Sequence, residues 1–196
     1  MLPMRTVIFD IETKNTFEQV GSNMAKDLDI SVVCLYDSQT DQYYSFLEDQ
    51  FADMWPYFQS ADLIVTYNGI HFDVPLLQKY TDIDLSAIKH IDLFKEIRDV
   101  TGKKLGLDGI AQATLGISKS GHGLDAIAWW NSGEIQKIID YCIQDVKVTK
   151  DVYDYARKNQ MLYFTNRATG AKEEIDIDTS RWGFDEEPEA QVGLFG

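Results

Sequence analysis

Val7-Ile8-Phe9-Asp10-Ile11-Glu12-Thr13 sets two carboxylates into an apolar run close to the start of the chain. Arg5–Ile11 is rich in β-formers and reads as a strand that enters the acidic pair. Side chains two apart on a strand share a face, so Asp10 and Glu12 point the same way at its end. Two like charges so placed repel each other unless a cation lies between them. Alone, the D-x-E pattern is equally an ordinary strand end with solvated acids.

Outward from that strand, Ile30–Tyr36 and Gln42–Leu47 flank the polar turn Asp37–Asp41 and read as an antiparallel meander. Phe51–Phe58 reads as a short helix and Asp62–Thr66 as a fourth strand. Asp73–Tyr80 reads as a helix with Pro75 tolerated in its first turn. Lys89–Leu93 is a fifth short strand, and residues 106–115 form another helix before the glycine-bearing loop Lys119–Gly123. A long helix is predicted from Gly133 to Lys158. Met161–Thr165 and Glu173–Ile177 then flank Asn166-Arg167-Ala168-Thr169-Gly170 as a hairpin. Strands followed by mixed units predict an α/β fold, a mixed central sheet flanked by helices.

Two more acidic motifs lie along this frame. Tyr67-Asn68-Gly69-Ile70-His71-Phe72-Asp73 leaves a strand and opens a helix, with Gly69 permitting a tight turn. Asp73 is well placed to be the helix N-cap, a duty compatible with holding a metal. Tyr141-Cys142-Ile143-Gln144-Asp145 lies on the long helix, whose apolar stripe includes Ile135, Ile138, Cys142, Val146 and Val152. At about 100° per residue Asp145 falls inside that stripe, with Tyr141 one turn earlier on nearly the same face. A carboxylate facing the core costs several kcal/mol without a partner, and the stripe offers no nearby lysine or arginine. A metal ion fits that place better than a distant salt bridge.

The 196 residues, 44% of them hydrophobic, suffice for one domain with a substantial core and a short appendage. No apolar run is long enough to span a bilayer, and no signal-like segment opens the chain. Cys34 and Cys142 offer neither a disulfide framework nor a metal-ligand spacing, so a reducing cytoplasm is expected. A net charge of −14 argues against a protein that coats duplex DNA. Eight of the 32 acids but only three of the 18 bases lie in residues 161–196, which leaves −9 for residues 1–160. The expectation is weak, transient nucleic-acid binding.

Together the three motifs resemble those of the DEDD, or DnaQ-like, exonuclease superfamily, whose fold is ribonuclease H-like. The F-D-I-E-T run resembles its first motif. The N-G-x-x-F-D run resembles the second as found in family B DNA polymerase proofreading domains, and Y-x-x-x-D the third in the tyrosine-bearing subgroup. The histidine-bearing subgroup would put His where this chain has Asp140. The resemblance spans about residues 4–158. It implies an exonuclease domain over 1–160 and covers neither the β-hairpin extension over 161–184 nor the acidic flexible tail over 185–196, which are read from turn pattern and composition.

The implied activity is removal of nucleotides from nucleic-acid 3′ ends with two divalent ions, Mg²⁺ or Mn²⁺. Hard oxygen ligands without thiolate or imidazole clusters suit those metals. The resemblance implies that Asp10 bridges both ions, Glu12 and Asp145 complete the nucleophile side, and Asp73 holds the second ion. Phenols ordinarily titrate near 10, so Tyr141 reads as an orienter of the attacking water. Thr13 and Asn68 are the expected substrate contacts. His71 reads as structural, and His122 could reach a phosphate. Lys103, Lys104, Lys119, Lys147 and Lys150 are candidates for the strand path. Trp129 and Trp130 are expected to pack on the long helix rather than stack on bases.

Sequence leaves DNA and RNA open, because the metal site sees only phosphate. A non-catalytic binding module on the same scaffold fits less well with the complete set of carboxylates. At the C-terminus, Gln191, Leu194 and Phe195 resemble the Q-x-x-L-F peptide that docks on bacterial sliding clamps, although Val192 and Gly193 depart from its usual inner residues. Clamp docking would favour DNA and raise local concentration at the primer end.

Overall fold

Strand β1 (Thr6–Thr13) is buried along nearly its whole length and lies at the centre of the sheet. The computed structural model describes residues 4–117 and 123–182. After β1 come a single turn α1 (Phe17–Val20), β2 (Ile30–Asp37), β3 (Gln42–Phe46), α2 (Phe51–Gln59) and β4 (Leu63–Thr66). Next are α3 (Asp73–Leu77), β5 (Lys89–Asp92), α4 (Leu93–Thr101), α5 (Leu107–Leu115) and α6 (Gly123–Asn131). The long α7 (Ile135–Asn159) is followed by β6 (Met161–Thr165) and β7 (Lys172–Asp176).

The five-stranded sheet has the order β3-β2-β1-β4-β5. The meander pairs antiparallel, while β4 and β5 join β1 in parallel. Pleating then divides β1 between two cores. Val7, Phe9 and Ile11 pack with Met54, Phe58, Leu76 and Leu77 on the side of α2 and α3. Ile8 packs with Ile138, Cys142, Val146 and Val152 of α7 on the other. Asp10 and Glu12 follow Ile8 at steps of two, so the same alternation turns both carboxylates toward α7. The pairing of β1 with β2 shifts register between Glu12 and Thr13, where β1 reaches the edge of the site.

The hairpin β6–β7 is packed into the α7-side core. Leu162, Phe164, Ile175 and Ile177 join it, and Trp182 stacks on Tyr153 at 5.4 Å between centroids. Each such buried side chain contributes about 1.5–3 kcal/mol. Three helices go beyond the sequence reading: α1, α4 and α6. In α4 Leu93, Ile97 and Val100 recur at helical spacing, a signal hidden from the sequence reading because Leu93 was given to the preceding strand. The start of α4 is fixed by Asp92, whose side chain caps Phe94 and Lys95. The Lys119–Gly123 loop is described only from Gly123 on; Lys119, His122 and the tail with Gln191, Leu194 and Phe195 lie outside the described residues.

Candidate active site

At the end of β1, Asp10, Glu12 and Asp145 each offer an oxygen within 4.8 Å of one another. Glu12 and Asp145 are buried. Asp10 keeps some exposure toward a cavity of about 490 Å³, which also meets Thr13, Asn68, Asp73, Tyr141 and Asp145. Residues from β1, the loop before α3, and α7 thus converge on one space, as the three motifs predict. Asp73 stands outside the close trio, yet its charge is the first of those acting on Asp10.

The cluster is electrostatically costly without a cation. Burial first, then the charges of Asp73, Asp145 and Glu12, hold the Asp10 carboxyl well above its usual range. Burial pushes Asp73 up to about 7, against backbone N–H groups of Asp73 and Ile11 that favour its charged form. Its Oδ1 is buried and has no hydrogen-bond partner. An orphaned buried carboxylate oxygen beside three other acids is what a divalent ion would satisfy. The donors are all oxygen, which fits Mg²⁺ or Mn²⁺. Cys142 lies behind the trio, its thiol donating to the Asp10 carbonyl at 3.4 Å. Both cysteines are free and buried.

Asp73 does not cap its helix. Phe72 holds that position without a side-chain bond, and Asp73 is the first helical residue. The cap reading fails because the turn before α3 is anchored elsewhere, on Asp92. Asp92 is buried, and its Oδ1 accepts from Asn68 N–H at 2.8 Å and Phe94 N–H at 3.0 Å. Its Oδ2 accepts from Ile70 N–H at 3.0 Å. Asn68 takes a left-handed φ of 72°, a conformation that asparagine tolerates better than most residues. The structure thus assigns a role to Asp92 that sequence reading missed; its one signal was an acid between an apolar strand and a helix.

Gly69 is needed for space. An added Cβ would overlap the side chain of Thr66, whose Oγ1 accepts from Gly69 N–H at 3.1 Å. His90 Nε2 lies 2.8 Å from that same oxygen, and burial lowers its pKa to about 4. His71, read as structural, is exposed and fills no core position.

Phe17 and Phe72 meet edge to face at 6.2 Å and form an apolar wall of the cavity, another pair the sequence did not mark. Trp129 packs edge-on against Tyr141 at 5.9 Å, as expected of a residue lying on the long helix. Trp130 packs against the core that α7 shares and also lies under Lys14 Nζ at 5.0 Å. The cavity is not lined by Lys103, Lys104, Lys147 or Lys150. Lys147 and Lys150 lie over the rings of Tyr43 and Tyr36, and Lys150 pairs with Asp154.

A mixed sheet with this strand order, flanked by helices and carrying acids on its central strand and last long helix, defines the ribonuclease H-like class of α/β domain. The chain belongs to the RNase_H superfamily, whose model matches residues 7–157. Among curated proteins none matches it. It is similar in structure to the family B DNA polymerase from the hyperthermophilic archaeon Pyrobaculum calidifontis, with a TM-score of 0.61 and 20% sequence identity. That alignment covers 79% of this chain and 25% of the polymerase, so the likeness is one of fold to part of a larger protein. Among the described residues no helix is long and apolar enough to cross a membrane.

The raised carboxyl of Asp73 has a pH consequence in the ion-free protein. A folded pKa of about 7 against an ordinary 3.8 favours folding fully below the ordinary value. That contribution is lost progressively as pH rises from the ordinary value through the folded one, because over that window the unfolded chain has given up a proton that the folded state still holds. Asp73→Asn should therefore melt like wild type below about pH 4, and above it by a margin that grows up to about pH 7 and stays constant beyond. Parallel melting profiles across that range would refute the assignment. Saturating Mn²⁺ should raise the wild-type melting temperature more at the upper end of that range, since the ion needs ionised ligands.

Proposed function

We propose that the chain is a 3′→5′ exonuclease of the tyrosine-bearing DEDD subgroup, with DNA as its substrate. The observation that carries the reading is the convergence of Asp10, Glu12, Asp73 and Asp145 on one cavity beside Tyr141. Asp10, Glu12 and Asp145 would hold one divalent ion, and Asp10 with Asp73 a second. When bound, such ions lower the pKa of an attacking water and neutralise charge on the leaving oxygen.

The remaining work falls to the chain's own groups. Hydrolysis joins water oxygen to phosphorus and breaks the bond from phosphorus to the 3′ oxygen of the preceding sugar. A nucleoside 5′-monophosphate leaves, and the shortened strand regains a 3′ hydroxyl. Tyr141, one turn before Asp145 on α7, orients the water through its hydroxyl. Asn68 and Thr13, which also line the cavity, contact the terminal nucleotide. The ring wall of Phe17 and Phe72 offers its base an apolar surface to stack on.

Tyr141→Phe keeps the ring packed on Trp129 and removes only the hydroxyl. It should lower the rate by roughly 10–100-fold without abolishing it, while the melting temperature stays near wild type. A wild-type rate would remove Tyr141 from the mechanism.

Polarity and sugar preference are read from 5′-labelled single-stranded DNA, duplex DNA and RNA in Mn²⁺. A ladder shortening from the 3′ end with release of mononucleotides is expected, fastest on DNA. Internal cuts, or RNA as the only substrate, would replace this reading. The division into an exonuclease unit over 1–160, a hairpin over 161–184 and a tail over 185–196 belongs to the same proposal. So does docking of the tail through Gln191, Leu194 and Phe195 on a sliding clamp, which rests on its sequence alone.

A further inference from the structure

A second groove, of about 670 Å³, lies between the start of α5 and the β6–β7 hairpin. Lys103, Lys104 and Arg167 line it, with Asp108 as its one acid. In a chain of net charge −14 this is a local reversal of sign. Lys103 Nζ is partly committed, 4.2 Å above the Phe164 ring and 3.5 Å from Glu173. Lys104 and Arg167 are exposed and form no ion pair among the described residues.

The groove is one side chain away from the acidic cavity. Tyr67 lines that cavity, and its hydroxyl donates to the carbonyl of Leu105, which lines the groove, at 2.7 Å. The hairpin side of the groove falls beyond the residues matched by the RNase_H superfamily model, so it is an addition to the shared domain.

The geometry points to a path for the nucleic-acid strand: its 3′ end occupies the acidic cavity, and phosphates upstream of that end lie between Lys104 and Arg167. The occupant is a phosphodiester backbone because the groove sets exposed cations along its length against a single acid. Such a path also answers a difficulty of the acidic chain, whose net charge of −14 opposes nucleic-acid binding. This inference rests on the nuclease reading for the position of the 3′ end, while the groove's affinity can be measured apart from catalysis.

The test is anisotropy of a labelled single strand of about 16 nucleotides with the full chain in Ca²⁺, for wild type and a Lys104→Glu, Arg167→Glu double variant. Both positions are exposed, so the variant should fold. Its Kd should rise about tenfold or more at low salt. The slope of log Kd against log salt should fall by about 1.4, at about 0.7 per phosphate contact on a single strand. Hydrolysis of a small activated phosphodiester of thymidine, too short to reach the groove, should be unchanged. Equal Kd and equal slope for the two proteins, or no binding by wild type, would overturn the path. Displacement of the strand by polyglutamate at equal charge would also overturn it, by assigning the groove to acidic proteins. A wild type that binds the strand with the expected slope yet cleaves neither substrate in Mn²⁺ would sink the nuclease reading and leave the groove standing.

Discussion

Asp10→Ala should abolish hydrolysis, with a loss on the order of 10³-fold or more. The charges of all three other acids act on Asp10, so its removal dismantles the ion site from the middle. The same substitution should not unfold the protein. Its carboxyl is held well above the usual range by burial and like charge, which means that the ionised group opposes folding while no ion is bound. The expected pair of results is a lost turnover with an unchanged or higher ion-free melting temperature, and a loss of the stabilisation by Mn²⁺. Retention of more than a few per cent of the wild-type rate would show that the chemistry lies elsewhere.

The second large effect is expected at a residue that touches no substrate. Asp92→Ala leaves the N–H groups of Asn68, Ile70 and Phe94 without their acceptor in a buried place. The cost should be about 3 kcal/mol, seen as a melting temperature lower by roughly 6–12 °C. The turn it anchors carries Asn68 and leads into Asp73, so the rate should fall too, by roughly 100-fold if Asp73 shifts by about 1 Å. Asp92→Asn keeps one acceptor oxygen and should recover part of both losses. A variant that loses stability but keeps its kcat would confine Asp92 to folding.

The contrast between Asp10 and Asp92 shows what the sequence made legible. A strand of period two with acids two apart fixes their common face, whatever the rest of the chain does. α7 is long enough that its stripe places Asp145 and Tyr141 on the buried side without further help. Both follow from local periodicity, and both hold in the structure. Asp73 was readable as a motif but not as a geometry. Whether a carboxylate at a helix start caps that helix depends on which neighbour supplies the acceptor, and that neighbour is 19 positions further along the chain, at the end of β5.

The rest was set by contacts distant in sequence. Phe17 and Phe72 meet only because α1 and the loop before α3 border the same cavity. Lys103 and Arg167 carry no pattern that unites them; the hairpin brings them together by burying Leu162 and Phe164 under α5 and α7. Lys147 and Lys150 had the same sequence credentials as Lys103, yet they face the tyrosines of the meander. Charge alone does not say which side of a helix a lysine reaches.

Metal dependence is the most direct test of the four-carboxylate centre. A 5′-labelled single strand is incubated with the full chain in excess EDTA, then with Mn²⁺ restored. The account predicts no shortening in chelator and stepwise loss from the 3′ end once Mn²⁺ is present. Undiminished cleavage in EDTA would contradict it.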